Sequence, residues 1–291
     1  MTLFKNGLLS QAGWREGLVG ALLLLNIAVW ASLHASEQSN LLHVYFLDVG
    51  QGDSIFIDSP IHGRVLLDGG PDRKVLTELG KILPFGDKRI DVVMESHPDA
   101  DHITGLVDVV KQFDVSAFVE PGVESKNNVD NMLAGTLEDK NIPKLLARRG
   151  MNIDLGGGAN LLVLFPNQDV SNWETNDASI VAKLTYRSKS FLLTGDSTKS
   201  SEYKILALGS KVLKSSVLKA GHHGSRNSTS LLYAEAVSPE YGVISAGKNN
   251  SYGHPHREVL DILNKVGAKI VSTTDMGTIE FETDGETLFL K

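Results

Sequence analysis

Apolar residues occur along this chain in short runs, punctuated by Gly, Pro, Asn and Asp. Leu42 to Leu47, Ser54 to Asp58 and Arg64 to Asp68 have strand length and β-branched or aromatic character. The glycine-bracketed turn D-V-G-Q-G-D-S (48–54) follows the first, and Pro60 and Gly63 separate the other two. Val75 to Leu83 and Ile103 to Phe113 space their apolar residues as helices do, on either side of a strand over Ile90 to Glu95. A strand at Val115 to Val119 leads into a long polar connection, Glu120 to Asn141, with a helix around 129–138. Pro143 to Arg149 reads as a further helix. Lys140, Lys144 and Arg148, four residues apart, would form one basic stripe on it, either solvated or facing an anionic substrate.

Ala159 to Phe165 is a strand, and Ser179 to Tyr186 with Ser190 to Thr194 form a hairpin. A helix (Thr198 to Leu208), a strand (Ser216 to Lys219), a helix near 229–236 and a strand (Tyr241 to Ser245) follow. A helix over 257–266 and three short strands close the chain. Strands followed by alternating strands and helices, twice over, predict an α/β fold. Two mixed sheets packed face to face with helices outside satisfy that order.

The first 40 residues differ. Gly17 to Ala35 is uncharged and contains Leu22 to Leu25, Ile27, Val29 and Trp30, with Lys5 and Arg15 before it and Glu37 after. This composition suits a signal peptide or a short transmembrane anchor. Leu33 and Ala35 make a poor cleavage pair, and Trp14 and Trp30 suit two membrane interfaces. An uncleaved single-pass anchor is the expectation, with the rest outside the cytoplasm because the positive flank comes first. Signal cleavage would instead leave a secreted or periplasmic protein. Ser36 to Asn40 reads as a linker, giving a segment over 1–40 and a globular domain over 41–291.

Net charge is −7, from 28 basic and 35 acidic side chains, which argues weakly against a protein broadly wrapped in nucleic acid but allows a local basic groove. The chain contains no cysteine, so disulfides and thiolate-bound metals are excluded.

The candidate chemistry centres on Ser96 to Gly105, S-H-P-D-A-D-H-I-T-G. His97, Asp99, Asp101 and His102 sit on the turn between a strand and a helix. A helix cap needs one acid, not two acids and two histidines. Imidazole and carboxylate together suit divalent cations, and groups facing two ways can hold two. Asp68, Asp196 and the pair His222-His223 end three other apolar runs, which suggests one shared sheet edge.

These stretches resemble the metallo-β-lactamase-fold hydrolases, whose pattern is H-x-H-x-D-H followed by a later Asp and His. Within that superfamily the chain looks most like the extracytoplasmic domain of the ComEC-type DNA-uptake proteins. The likeness rests on D-V-G-Q-G-D-S (48–54), L-L-D-G-G (66–70), S-H-P-D-A-D-H-I-T-G-L (96–106), L-L-T-G-D (192–196), L-K-A-G-H-H-G-S (218–225) and Y-G-H-P (252–255), and covers about residues 42–291. It implies an αβ/βα four-layer sandwich, preceded here by one hydrophobic helix, with one or two divalent ions, zinc or manganese, at the sheet edge. His97 and Asp99 would face a first metal position. Asp101, His102 and His222 would face a second, and Asp196 would bridge them. Asp68 would orient a ligand histidine, while His223 would support the site or touch substrate.

Asp48, Gln51, Asp53, Asn176 and Ser225 belong to the same supporting or substrate-facing set. Asp99 or Asp101 would hold the attacking water, and His254 would protonate the leaving group or contact phosphate. Arg226, Lys248 and Asn249 would donate to phosphate oxygens. Two departures matter. Asp99 stands where the family's second histidine does, and Asn176-Asp177 replace a later histidine. The first position is thus richer in oxygen, weaker for zinc and friendlier to manganese.

The resemblance implies a membrane-anchored, metal-dependent phosphodiesterase or nuclease acting on DNA during uptake. Its partners would be single-stranded DNA, the membrane and a separate channel protein. A metallo-hydrolase of a small ester or amide and a non-catalytic domain that binds DNA or an envelope partner are the alternatives.

Overall fold

The computed structural model describes residues 9–35, 40–123, 125 and 127–291. Helix α1 spans Leu9–Ala35. Among the described residues no helix is long and apolar enough to cross a membrane. Lys5 and, of the linker expected over 36–40, residues 36–39 lie outside the described residues.

From residue 40 onward strands and helices alternate in two series. The first runs β1 (Leu42–Phe46), β2 (Ile55–Asp58), β3 (Arg64–Leu67), α2 (Lys74–Ile82), β4 (Arg89–Met94), α3 (Ala100–Gln112), β5 (Asp114–Glu120), α4 (Asn128–Asp139) and β6 (Lys144–Leu146). The second runs β7 (Asn152–Gly156), β8 (Ala159–Phe165), β9 (Val181–Tyr186), β10 (Lys189–Leu193), α5 (Lys199–Gly209), β11 (Val217–Lys219), α6 (Leu231–Val237), β12 (Tyr241–Ile244), α7 (Arg257–Lys265) and β13 (Lys269–Ser272). Then β14 (Ile279–Thr283) and β15 (Leu288–Leu290) return to the first sheet.

That sheet is ordered β15-β14-β1-β2-β3-β4-β5-β6, and its partner β13-β12-β11-β10-β9-β8-β7. Both are mixed. Strands β3 to β6 pair in parallel in one, and β10 to β13 in the other.

Strand alternation divides the side chains between layers. Val44, Phe46, Ile55, Val65 and Leu67 meet Leu161, Leu184, Phe191 and Val217 in one core between the sheets. The intervening Phe56, Leu66, Val93 and Phe118 face outward, onto Leu79, Leu106, Val110 and Leu133 of α2, α3 and α4. On the other sheet Leu192, Leu218 and Ile244 pack on Ile205, Tyr233 and Leu263 of α5, α6 and α7. The result is helices, sheet, sheet, helices. Because both faces of the central strands are buried, their sequences are continuous apolar runs rather than alternations. Phe281 of β14 ties the layers together by edge contacts with Phe46, Phe191 and Tyr241.

Two local expectations are corrected. Pro143 to Arg149 contains strand β6 rather than a helix, because Phe118, Val119 and Glu120 offer a parallel ladder to Lys144, Leu145 and Leu146. Lys140, Lys144 and Arg148 therefore share no helix face. Lys144 pairs with the Glu120 carboxylate at 3.1 Å, and the Arg148 guanidinium donates to the Pro121 carbonyl at 2.7 Å. Edge strand β7, with three glycines after Leu155, carried no readable apolar pattern and was not anticipated.

The turn after β3 and the start of α3 meet at backbone distance. Gly69 N–H donates to the His102 carbonyl at 2.7 Å, and Gly105 N–H to the Gly70 carbonyl at 3.0 Å. A methyl group on Gly105 would lie 2.0 Å from the Gly69 carbonyl oxygen. Ala ordinarily stabilises a helix interior over Gly by about 0.5–1 kcal/mol. At Gly105 overpacking should win, and Gly105→Ala should destabilise the fold by about 1–3 kcal/mol. Gly80 in α2 has nothing within 4 Å of such a methyl group, so Gly80→Ala should be neutral or stabilising. Urea unfolding of the two variants checks the contrast, and a stabilised Gly105→Ala would refute the packing argument.

Candidate metal centre

Parallel strands place their carboxyl ends at one edge of each sheet, where ligand sites of α/β folds lie. Strand β3 leads to Asp68, β4 to Ser96 and His97, β10 to Asp196, β11 to His222 and His223, and β12 to Ser245. The sequence-distant groups meet there.

The Asp68 carboxylate, fully buried, is a fixed acceptor. One oxygen takes the Ser96 N–H at 2.7 Å; the other takes the Ser96 hydroxyl at 2.7 Å and His102 Nδ1–H at 2.9 Å. With its proton committed to Asp68, Ser96 Oγ accepts from His97 Nδ1 at 3.0 Å. His223 Nδ1 donates to the Ser245 carbonyl at 3.0 Å. Three imidazoles are thus held by Nδ1, which turns their Nε2 atoms inward.

All three Nε2 atoms are buried without a hydrogen-bond partner. His102 Nε2 lies 3.4 Å from one Asp196 oxygen, and His223 Nε2 lies 3.3 Å from the other. Asp101 stands 3.4 Å from His223 Nε2, and Asp99 stands 3.5 Å from His97 Nε2. Although Asp99 occupies the N-cap position of α3, its side chain makes no capping bond. His222 Nε2 lies 3.5 Å from Asp196, and its ring remains partly exposed. His222 and His223 both hold φ near +50° (49° and 55°), a left-handed conformation that costs a non-glycine residue roughly 1–2 kcal/mol.

These separations decide between two explanations. Buried imidazoles and carboxylates that bond only each other should approach to about 2.7–3.0 Å. Ligand atoms about 2.0–2.1 Å from a tetrahedral ion sit about 3.3–3.4 Å apart. The observed spacing fits the second case, and the donor set of imidazole nitrogen and carboxylate oxygen fits a divalent cation. Ligand atoms of Asp53, His102, Asp196 and His223 all lie within 4.8 Å of one another.

Asp53 has another partner. Lys219, fully buried at the end of β11, forms an ion pair with one of its oxygens, and the other lies 3.3 Å from His223 Nδ1. Burial would raise the Asp53 pKa, but the Lys219 ammonium and then His223 hold it below the usual carboxylate range. Lys219 was not singled out in the sequence. The available signal was a lysine inside an otherwise apolar strand.

The remaining expected residues divide. Gln51 Oε1 accepts the Gly247 N–H at 3.0 Å, joining the 48–54 turn to the 247–256 loop. Within that loop Asn250, also not anticipated, accepts the His254 N–H at 3.0 Å and donates to the Gly247 carbonyl at 3.0 Å. The His254 ring stands edge-on to His222 with centroids 5.6 Å apart. Burial and then the neighbouring histidines lower its pKa to about 4, so it is neutral at pH 7. Lys248, Asn249 and Arg226 are exposed. The Arg226 N–H donates to His256 Nδ1 at 3.2 Å. Ser225 is buried, and its hydroxyl accepts the Asn227 N–H at 3.3 Å. Asn176 opens a 3-10 turn, with its Oδ1 buried and unpartnered. Asp48 is the outlier: it pairs with Lys74 at 2.9 Å and accepts the Gly50 N–H at 3.2 Å.

Residues 47–248 match the metallo-beta-lactamase superfamily. The chain belongs to that superfamily. It is similar to ComE operon protein 3 of Bacillus subtilis, at 31% identity over 82% of this chain and 32% of that protein. It is also similar to competence protein ComA of Neisseria gonorrhoeae, at 28% identity over 80% of this chain and 31% of that one. The chain therefore spans about a third of these relatives' length. Among solved structures, the metallo-beta-lactamase fold protein YhfI of B. subtilis superposes with a TM-score of 0.56 at 13% identity, covering 83% of this chain and all of that one. Igni18, a metallo hydrolase of Ignicoccus hospitalis, gives 0.53 at 16% identity, covering 83% and 99%. Both show the fold alone.

Two outcomes follow. Lys219→Met should leave Asp53 buried without its counter-ion and destabilise the protein by about 3–5 kcal/mol. Urea melts check this, and a loss under about 1 kcal/mol would refute the pairing. The second outcome concerns protons. Burial opposes charge on His102 and His223, yet Asp196 in both, then Asp68 for His102 and Asp53 for His223, raise both well above the usual histidine value. Their protons stabilise the metal-free fold below the unfolded value of about 6.5, and that contribution disappears as pH rises through the raised values. A cation must displace these protons. Metal affinity should therefore rise with pH through neutrality. Calorimetry in buffers of different ionisation enthalpy should show proton release, and none would contradict the arrangement.

Proposed function

We propose that the chain is a metal-dependent phosphodiesterase acting on DNA, working beside a membrane in a DNA-uptake setting. The observation that carries the reading is the buried Asp196 carboxylate, faced by imidazole Nε2 atoms that have no hydrogen-bond partner among the described residues. The likeness to a competence protein supports the DNA-uptake setting that the sequence resemblance implies. Leu18, Val19, Leu22 to Leu25 and Ile27 of α1, each at least half exposed, support lipid contact along that helix.

His97 and Asp99 would face one ion. Asp101, His102 and His223 would face the other, with Asp196 between them. In this reading His223 would take the place that the resemblance gave to His222, because its Nε2 lies near both Asp101 and Asp196. His222 borders Asp196 from the more open side. Bound zinc or manganese would supply an acidified water nucleophile and polarise the scissile phosphate. Asp68, Ser96 and Ser245 fix the imidazole tautomers by accepting at Nδ1. Asp101, about a third exposed, would accept a proton from water. Neutral His254 offers one N–H to a phosphate oxygen. Lys248 and Arg226 add positive charge at the rim.

Metal analysis, melting and turnover on the full chain test this reading, with bis(p-nitrophenyl) phosphate and a DNA oligomer as substrates. Asp196→Asn keeps the shape and removes the charge. It should fold, bind less metal and lose more activity than the roughly 10–100-fold expected for a ligand-orienting partner. His223→Ala should lose more metal than His222→Ala. Near wild-type turnover in Asp196→Asn would sink the metal-centred mechanism, and equal metal loss in the two histidine variants would sink the assignment of His223.

A further inference from the structure

The loop over 247–256 presents an aromatic ring that the metal chemistry does not use. Tyr252 is 64% exposed, beside a site whose histidines are otherwise buried or half-buried. Its ring stacks on His254, with centroids 5.6 Å apart and planes inclined by 22°. His254 in turn stands edge-on to His222, whose Nε2 is 3.5 Å from Asp196. One imidazole therefore separates the exposed phenol ring from the histidines around Asp196.

The backbone that carries the ring is held in place. Asn250 Oδ1 accepts both the Tyr252 N–H, at 3.2 Å, and the His254 N–H, at 3.0 Å. The Asn250 amide donates to the Gly247 and His254 carbonyls at 3.0 and 2.6 Å. Gln51 anchors the start of the loop from the opposite sheet. A loop closed on one carboxamide and tied to the 48–54 turn presents its aromatic with little conformational freedom left to lose, which favours binding.

From this we infer that Tyr252 is a stacking platform for a nucleobase next to the scissile phosphate, the residue by which the site would favour the single-stranded DNA that the sequence resemblance implies over a duplex. The inference rests on the phosphodiesterase reading. Aromatic faces accept any base, so the contact selects for strandedness and not for sequence. In a duplex the base faces are stacked on their neighbours and closed to a flanking ring. In a single strand they are open. Lys248, exposed within the loop, and Arg226, exposed and 3.8 Å from the Glu258 carboxylate, would provide cationic charge for the backbone, as a groove for single strands needs and a neutral sugar polymer does not.

The test is binding of the full chain, with chelator present so that no strand is cut, to a fluorescent oligothymidylate, an abasic strand of equal length and the matching duplex. Tyr252→Ala should weaken oligothymidylate binding by about tenfold or more, whereas Tyr252→Trp should retain it. The wild-type protein should bind the abasic strand about as weakly as Tyr252→Ala binds oligothymidylate. An unchanged Kd in Tyr252→Ala, an equal loss on thymidine and abasic strands, or duplex binding as tight as single-strand binding would each overturn the inference. So would a wild-type protein that binds no single strand. In that last case metal-dependent hydrolysis of bis(p-nitrophenyl) phosphate still reports separately on the phosphodiesterase reading.

Discussion

A carboxylate buried at the meeting edge of two sheets has to be compensated by positive charge, and Asp196 sets that requirement here. Its oxygens face His102, His223 and His222 rather than water. Burial alone would raise its pKa; His223 and His102 instead hold it well below the usual value. Without metal, protons on those imidazoles supply the compensation. With metal, a dication can supply it through the same nitrogens. The same nitrogens could thus exchange protons for a cation, and the surrounding structure keeps the group from collapsing into ordinary hydrogen bonds.

That work falls to groups one layer further out. Asp68 accepts three hydrogen bonds, fixing His102 directly and His97 through Ser96. Ser245, at the end of β12, does the same for His223. Lys219 and Asp53 form a buried ion pair against His223. Such a pair contributes little net stability over an apolar substitute, but losing one member is costly. It holds a negative oxygen beside His223 Nδ1 without leaving a net charge in the core.

Close backbone approach is the other condition. Asp68 reaches His102 because the turn after β3 touches α3 at Gly69 and Gly105, where no side chain fits. On the second sheet, left-handed backbone at His222 and His223 places two adjacent imidazoles at one strand end. Backbone strain of this sort persists where the surrounding contacts over-determine it, as they do around Asp196.

The sequence by itself determined the layered α/β architecture and the edge at which chemistry gathers. Strand ends are short, local signals, and His97, Asp99, Asp101 and His102 lie within six residues of one another. Asp68 and Asp196 also stood out as strand ends, and family resemblance added only the roles expected of them. The strand at Lys144–Leu146 was not legible, since its identity comes from pairing with β5 rather than from its own pattern. The sequence offers no ground to choose between His222 and His223, which are adjacent and chemically alike; in the structure they differ in burial and in the reach of His223 to Ser245. Lys219 and Asn250 escaped notice for the same reason. Their partners, Asp53 and the carbonyls of Gly247 and His254, are brought to them only when the strands and loops pack. Periodicity and motif spacing are properties of a chain segment, whereas proton sharing and charge compensation depend on distances that only the tertiary structure sets.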